Sequence, residues 1–174
     1  AGSLALANYH ARTDATVVRK LRDAGAIVMG KSNLSEWANF RSSHSSSGWS
    51  SVGLQTGNAH NPIRTPGGSS SGSAVAVALG YCAGAIGTET DGSVVGPSAM
   101  NGIVGFKPTV GWVSRAGIVP LSASQDTAGP MARSVRDVAA LLDAIVGEDS
   151  RDAATEGCRG KTGDFVRNLG STSL

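Results

Sequence analysis

Apolar positions recur with a helical period in two places along the chain. Val17, Val18 and Leu21 share one face of a predicted helix over residues 13–24, capped by Thr13 or Asp14 and stopped by Gly25. Val138, Leu141, Leu142 and Ile145 form the stripe of a second predicted helix, over residues 134–146. Ser134 and Asp137 stand at capping-box spacing at its start, and Gly147 ends it. Short continuous apolar runs predict buried strands over residues 26–30 (AIVMG), 83–86 and 102–106, the last closed by Lys107-Pro108. A short helix is expected over residues 34–40, with Asn33 and Glu36 at capping-box-like spacing, and a helix of small residues over 73–80. Helices alternating with buried strands predict an α/β layer architecture.

Residues 41–72 follow a different grammar. They carry no hydrophobic period and are rich in Ser, Gly and Pro, which reads as loop or, on composition alone, as linker. Trp49, Val52 and Leu54 interrupt the polar run and a further α/β phrase follows at once. A loop of this length inside a compact domain is usually functional. From Glu148 onward the chain is charged and Gly-rich, and a solvent-exposed, poorly defined tail is expected over residues 147–174.

Composition narrows the function classes. Aromatics are 5% of the 174 residues, so the core must be built from Ala, Val, Leu and Ile. Charged residues are 16%, against roughly 25% in an average soluble domain, which excludes a solvated disordered chain. A net charge of +2 is too small to argue for a nucleic-acid or membrane-surface partner. No apolar stretch is long enough to span a bilayer. Cys82 and Cys158 form no metal spacing and no disulfide framework; this fits a reducing compartment or chance, and a cytoplasmic location is expected. The chain opens without Met and without a secretory signal, and reads as a piece of a longer protein.

Serine is the plentiful nucleophile, and its hydroxyl needs an adjacent base to take its proton. Gly68–Gly72 matches G-x-S-x-G with Ser70 central, but no strand leads into it and His10, His44 and His60 all lie upstream, contrary to the hydrolase elbow. None of Lys20, Lys31, Lys107 and Lys161 follows a serine at S-x-x-K spacing, and Ser73 stands where a phosphate loop has Lys. The histidines stand at no metal-ligand spacing. Two Gly-flanked serines remain, Ser69 in PGGSSSGSA and Ser93 in GTETDGSVVGP. Singly, each has a plain reading as turn chemistry. Together they suggest a site where a turn over residues 90–93 presents several N–H groups to one oxygen, as acyl transfer requires.

The phrases TPGGSSSGSAVAVA, GTETDGSVVGPSAMNGIVGFKPT and SQDTAGPMARSVRDVA resemble the amidase signature family. GKSNLSEWANFRSS, with GTETDGS and SQDTAGPMARS, places the likeness in its peptide-amidase branch. The resemblance covers residues 1–146, so residues 1–174 are expected to form part of an amidase-signature domain, a layered mixed sheet flanked by helices. It implies a Ser–cis-Ser–Lys triad. Ser93 falls on the nucleophile and Ser69 on the bridging serine, with a cis peptide bond at Ser69–Ser70 or the bond beside it. The two hydroxyls are expected within hydrogen-bond reach. The oxyanion hole falls on the N–H groups of Thr90, Asp91, Gly92 and Ser93. The lysine is expected upstream of Ala1, since Lys31 and Lys107 match structural lysines of the family. No metal or organic cofactor is implied, and the expected partner is a small-molecule or peptide amide.

The more widespread family phrase resembles G-T-D-x-G-G-S-x-R. Here Glu89 replaces the Asp, Asp91 the first Gly of the pair, and Val95 the Arg. These replacements favour the peptide-amidase branch over the amide-transfer component of a tRNA-dependent amidotransferase, and they change what can brace the oxyanion loop. The implied function is hydrolysis of carboxamide C–N bonds. The alternatives are that amide-transfer component and, with the lysine outside the chain, a catalytically inactive α/β unit.

Overall fold

A computed structural model describes residues 1–161 and 163–170. At its centre lies β5 (Thr127–Ala132), each of its residues buried. Along one edge it pairs antiparallel with β3 (Gly84–Glu89), from Gly84 opposite Ala132 to Glu89 opposite Thr127. Along the other it pairs antiparallel with the short β4 (Val104–Gly105). Successive residues of a strand face opposite sides, and β5 therefore serves two cores. Ala128 packs with Val113, with Val17 of α1 (Thr16–Asp23) and with Leu142 and Ile145 of α4 (Val135–Ile145). Met131, on the opposite face, packs with Val94 and with Ala74 of α2 (Ser71–Ala78). The α/β layering read from the sequence is the architecture found, and both pairings of this sheet are antiparallel.

The helix over residues 134–146 forms as α4, and Ser134 Oγ accepts the Asp137 amide at 3.1 Å. The helix of small residues forms as α2, starting at Ser71 rather than Ser73. β5 itself escapes the sequence reading because TAGPMA carries two residues that ordinarily break strands. Pro130 has no N–H to give, and its carbonyl accepts the Phe106 amide at 3.0 Å.

Four expectations are corrected. Neither Thr13 nor Asp14 caps α1: its N-cap is Ala15, and the Thr16 amide bonds instead to Ala116 O. Residues 26–30 form no strand, because no strand pairs with them among the described residues; the Ala26 amide is taken instead by Leu21 O at the end of α1. Ile27 and Met29 are 87% and 78% exposed, and the run lines a cavity of about 560 Å³ along the open edge of β3. The helix over 34–40 is a short turn over Glu36–Asn39 in which Trp37, Ala38 and Asn39 all have positive φ. Its would-be capping residues are engaged elsewhere. Asn33 Nδ2 donates to Gly48 O and Leu54 O, and Glu36 accepts the Ser51 amide, tying down the hairpin of β1 (Trp49–Ser50) and β2 (Leu54–Gln55).

The fourth correction concerns part of the tail: most of its residues are exposed as expected, and residues 162 and 171–174 lie outside those described, but its middle is packed. Beyond Gly147 the chain folds back on the domain, burying Asp152, Thr155 and Cys158. Arg115 forms a two-pronged pair with Asp152, at 2.9 Å from Nε and 2.7 Å from the terminal nitrogen. The Cys158 thiol donates to Gly111 O. Asp149, its side chain 6% exposed, accepts from the hydroxyls of Thr16 and Ser114 and from Arg151. Charged residues read as exposed tail are thus the partners of polar groups on α1 and on the segment around Ser114.

Polar contacts also join the layers on the opposite side of the sheet. Ser70 Oγ donates to Thr88 O at 3.2 Å and accepts from Thr88 N at 3.1 Å, filling one position of the unpaired edge of β3. Gly87 makes this approach possible, since a Cβ there would lie 2.6 Å from Ser70 Oγ. Ser70→Ala leaves both Thr88 backbone groups without a partner, and a loss of about 1–3 kcal/mol in urea unfolding is expected. Burial alone would raise the pKa of Asp149, but hydrogen bonds from Thr16, Ser114 and Arg151 outweigh it and hold the carboxyl well below the usual range. Its contribution to stability is therefore complete above the unfolded-state value of about 4 and is lost as pH falls below it. Unfolding midpoints measured from pH 7 down to pH 3 should fall less steeply for Asp149→Asn than for the wild type.

Candidate active site

The site is assembled from two Gly- and Ser-rich segments, one preceding α2 and the other joining β3 to α3 (Val95–Met100). They meet directly: the Ser70 amide donates to Ser93 O at 3.1 Å. On the first segment the peptide bond between Gly68 and Ser69 is cis. The cis bond thus lies on the N-terminal side of Ser69, not at Ser69–Ser70. The Ser69 carbonyl accepts the Ser35 amide at 3.0 Å, while Ser35 Oγ accepts the Gly48 amide at 2.8 Å. The left-handed turn over Glu36–Asn39 and the hairpin behind it therefore position this segment.

The serines after the glycine pair have separate tasks. Ser70 Oγ holds β3, Ser71 Oγ donates to Gly67 O at 2.6 Å, and Ser73 Oγ donates to Ile86 O at 3.1 Å. Ser69, 1% exposed, differs: its hydroxyl has no hydrogen-bond partner among the described residues. The same holds for Ser93, 7% exposed, on the second segment. The two hydroxyls are not hydrogen-bonded to each other, so the direct Oγ contact expected from the sequence is not formed; the segments are joined through backbone instead.

Pairing with β5 ends at Glu89, and the backbone turns through Gly92, whose φ of +71° is a conformation that favours glycine. Glu89, 5% exposed, folds its carboxyl under this turn. Oε1 accepts the Gly92 amide at 2.9 Å, and Oε2 accepts the Val94 and Val95 amides at 2.7 and 2.9 Å. Of the amides expected to form the oxyanion hole, that of Gly92 is therefore committed. Those of Thr90, Asp91 and Ser93 have no acceptor among the described residues.

A second clamp acts from the side. Thr90 Oγ1 donates to Asp126 Oδ1 at 2.6 Å, and Asp126 Oδ2 accepts the Leu121 and Ser122 amides at 2.7 and 2.9 Å. Burial would raise the Asp126 pKa, but these bonds outweigh it and hold the carboxyl below its ordinary value. Glu89, Thr90 and Asp126 also line a cavity of about 230 Å³ walled by Ile118, Val119 and Leu121. Neither clamp is assigned by the sequence reading, although Glu89 departs from the more widespread family phrase and so marks the place.

None of the lysines takes part in this cluster. Lys20 Nζ donates to Val146 O, Lys161 lies over the Trp112 ring, and Lys31 lines the cavity along the open edge of β3. Among the described residues no group of three or more His, Cys, Asp or Glu is placed to hold a metal ion, and no helix is long and apolar enough to cross a membrane.

Known proteins share this sequence and fold. The peptide amidase of Stenotrophomonas maltophilia superposes with a TM-score of 0.93 at 60% identity, over 97% of this chain and 34% of that one. A probable amidase of Arabidopsis thaliana is 51% identical over 156 residues, 90% of this chain and 30% of the relative. One component of the glutamyl-tRNA(Gln) amidotransferase of Symbiobacterium thermophilum is also 51% identical, over 87% of this chain and 30% of its own length. The chain thus spans about a third of the length of the relatives it matches. The Amidase family profile matches residues 1–172, and the chain belongs to that family.

Proposed function

We propose that this chain carries the nucleophile and oxyanion hole of a serine amidase acting on carboxamide C–N bonds. The supporting observation is that the hydroxyls of Ser69 and Ser93 have no hydrogen-bond partner among the described residues, and that the two serines stand beside a turn with uncommitted amides. Ser93 is the nucleophile. It passes its proton to Ser69 once the two hydroxyls, not bonded to each other here, close to hydrogen-bond reach in the substrate complex, and Ser69 passes its own to a neutral lysine supplied by the rest of the protein. Ser93 Oγ adds to the amide carbonyl, and the resulting oxyanion is received by the N–H groups of Thr90, Asp91 and Ser93. Each such donor is worth about 3–4 kcal/mol at the transition state. The relay then runs in reverse to protonate the leaving nitrogen, the C–N bond breaks, and water hydrolyses the Ser93 ester. No step requires a metal or organic cofactor.

The substrate class is a small-molecule or peptide amide, consistent with the identity shared with a peptide amidase. The likeness to an amidotransferase component supports a second reading, in which the same site releases ammonia from glutamine for a partner. Val95, standing where the more widespread phrase has Arg, favours the first reading. Full-length protein assayed with a C-terminally amidated peptide, and separately with glutamine, decides between them by which one releases ammonia. In that protein Ser93→Ala should abolish labelling by a fluorophosphonate probe. Ser69→Ala should slow labelling by about two to four orders of magnitude, the usual weight of general acid–base assistance.

A further inference from the structure

We propose that Glu89 is a positioning residue for the oxyanion turn, acting on the reaction through the backbone amides it holds rather than by touching substrate. The inference rests on the reading of Ser93 as nucleophile.

The turn cannot set its own shape. Strand pairing stops at Glu89, and α3 is only six residues long, with Val94 at its N-cap. Valine has no side-chain acceptor, the Gly96 amide is taken by Gly92 O and Pro97 has none to give, so without Glu89 the Val94 and Val95 amides would have no partner among the described residues. Glu89 supplies what the N-cap lacks. Its carboxyl folds onto the following turn, accepts the Val94 and Val95 amides on one oxygen and the Gly92 amide on the other, and so fixes both ends of the Ser93 peptide units. With Gly92 N–H turned inward to Oε1, the neighbouring amides of Asp91 and Ser93 are free of the carboxyl. Thr90 and Asp126 restrain the side of the turn, but no other side chain among the described residues accepts an amide from residues 91–95.

Oxyanion stabilisation depends on where the donors point, to within fractions of an ångström, and it acts on the transition state rather than on bound substrate. A purely structural Glu89 would affect melting temperature and the fraction of active molecules, leaving the turnover of each active molecule unchanged. A positioning Glu89 would affect turnover itself.

The test uses full-length protein, with wild type and Ser93→Ala as controls on a C-terminally amidated peptide. If wild type releases ammonia from neither the peptide nor glutamine, or Ser93→Ala remains active, the reading of Ser93 fails before Glu89 is at issue. With those controls in place, E89Q and E89D are compared per active site, counted by fluorophosphonate titration. E89Q puts an NH2 group against backbone donors, and E89D shortens the reach by one methylene. The expected result is a fall in kcat of about 10²–10³-fold for E89Q, the scale for loss of one oxyanion donor, with KM changed less than about threefold. A peptide aldehyde, which mimics the tetrahedral adduct on Ser93, should lose affinity in parallel with kcat/KM. E89D should recover part of both. A kcat per titrated site within threefold of wild type, or an unchanged aldehyde affinity, overturns the proposal. Failure of both variants to fold also overturns it, since Glu89 would then serve the fold alone.

Discussion

The antiparallel pairing of β3 with β5 is the constraint from which the rest of the structure follows. It puts Glu89 opposite Thr127 as its last register pair, so the chain leaves the sheet on both strands at one place. On one side it leaves into the turn bearing Thr90, Asp91 and Ser93, and on the other it arrives from the loop bearing Asp126. The Thr90–Asp126 hydrogen bond spans the gap that the ladder no longer closes. Because β5 is buried on both faces, α1 and α4 fix the sheet from one side and α2 from the other. The segment before α2 is thereby delivered to the turn after β3. Proximity of Ser69 and Ser93 is a property of this layering, not of either segment alone.

The elements legible in the sequence are those whose signal is local. α4 combines a capping pair with a four-residue apolar stripe, and both survive in the fold. α2 is recognisable because a run of Ala and Val between glycines packs closely as a helix. β5 is not, because its strand character comes from its neighbours: a segment containing Gly and Pro becomes a central strand only when flanked on both edges and both faces. Residues 26–30 show the converse. Their apolar run has strand composition, but no pairing partner is present among the described residues. Asn33 and Glu36 have capping-box spacing and bond instead to a hairpin 15 or more residues away, which no local rule anticipates.

The site is legible to a different depth. Ser69, Ser93 and the turn between β3 and α3 come from the Gly–Ser phrases and the family they resemble, and the structure brings both segments together. The supports are hidden because each is a long-range contact of a single residue. Asp126 lies 36 positions from Thr90, and Ser35 lies 34 positions before Ser69. The serines between Ser69 and Ser73 look equivalent in the sequence and acquire distinct roles only through Gly67, Ile86 and Thr88.

Asp149 joins α1 across 133 positions of sequence, one of the longest closures in the chain. Bringing such distant segments together costs chain entropy that local helices and the nearer β3–β5 pairing do not incur. A closure of that length is expected to form late, after the nearer contacts are made. Interactions made that late slow the rate at which a native structure opens far more than they speed its formation. Loosening the clasp between the C-terminal segment and the first helix is on that account expected to speed unfolding more than it slows folding.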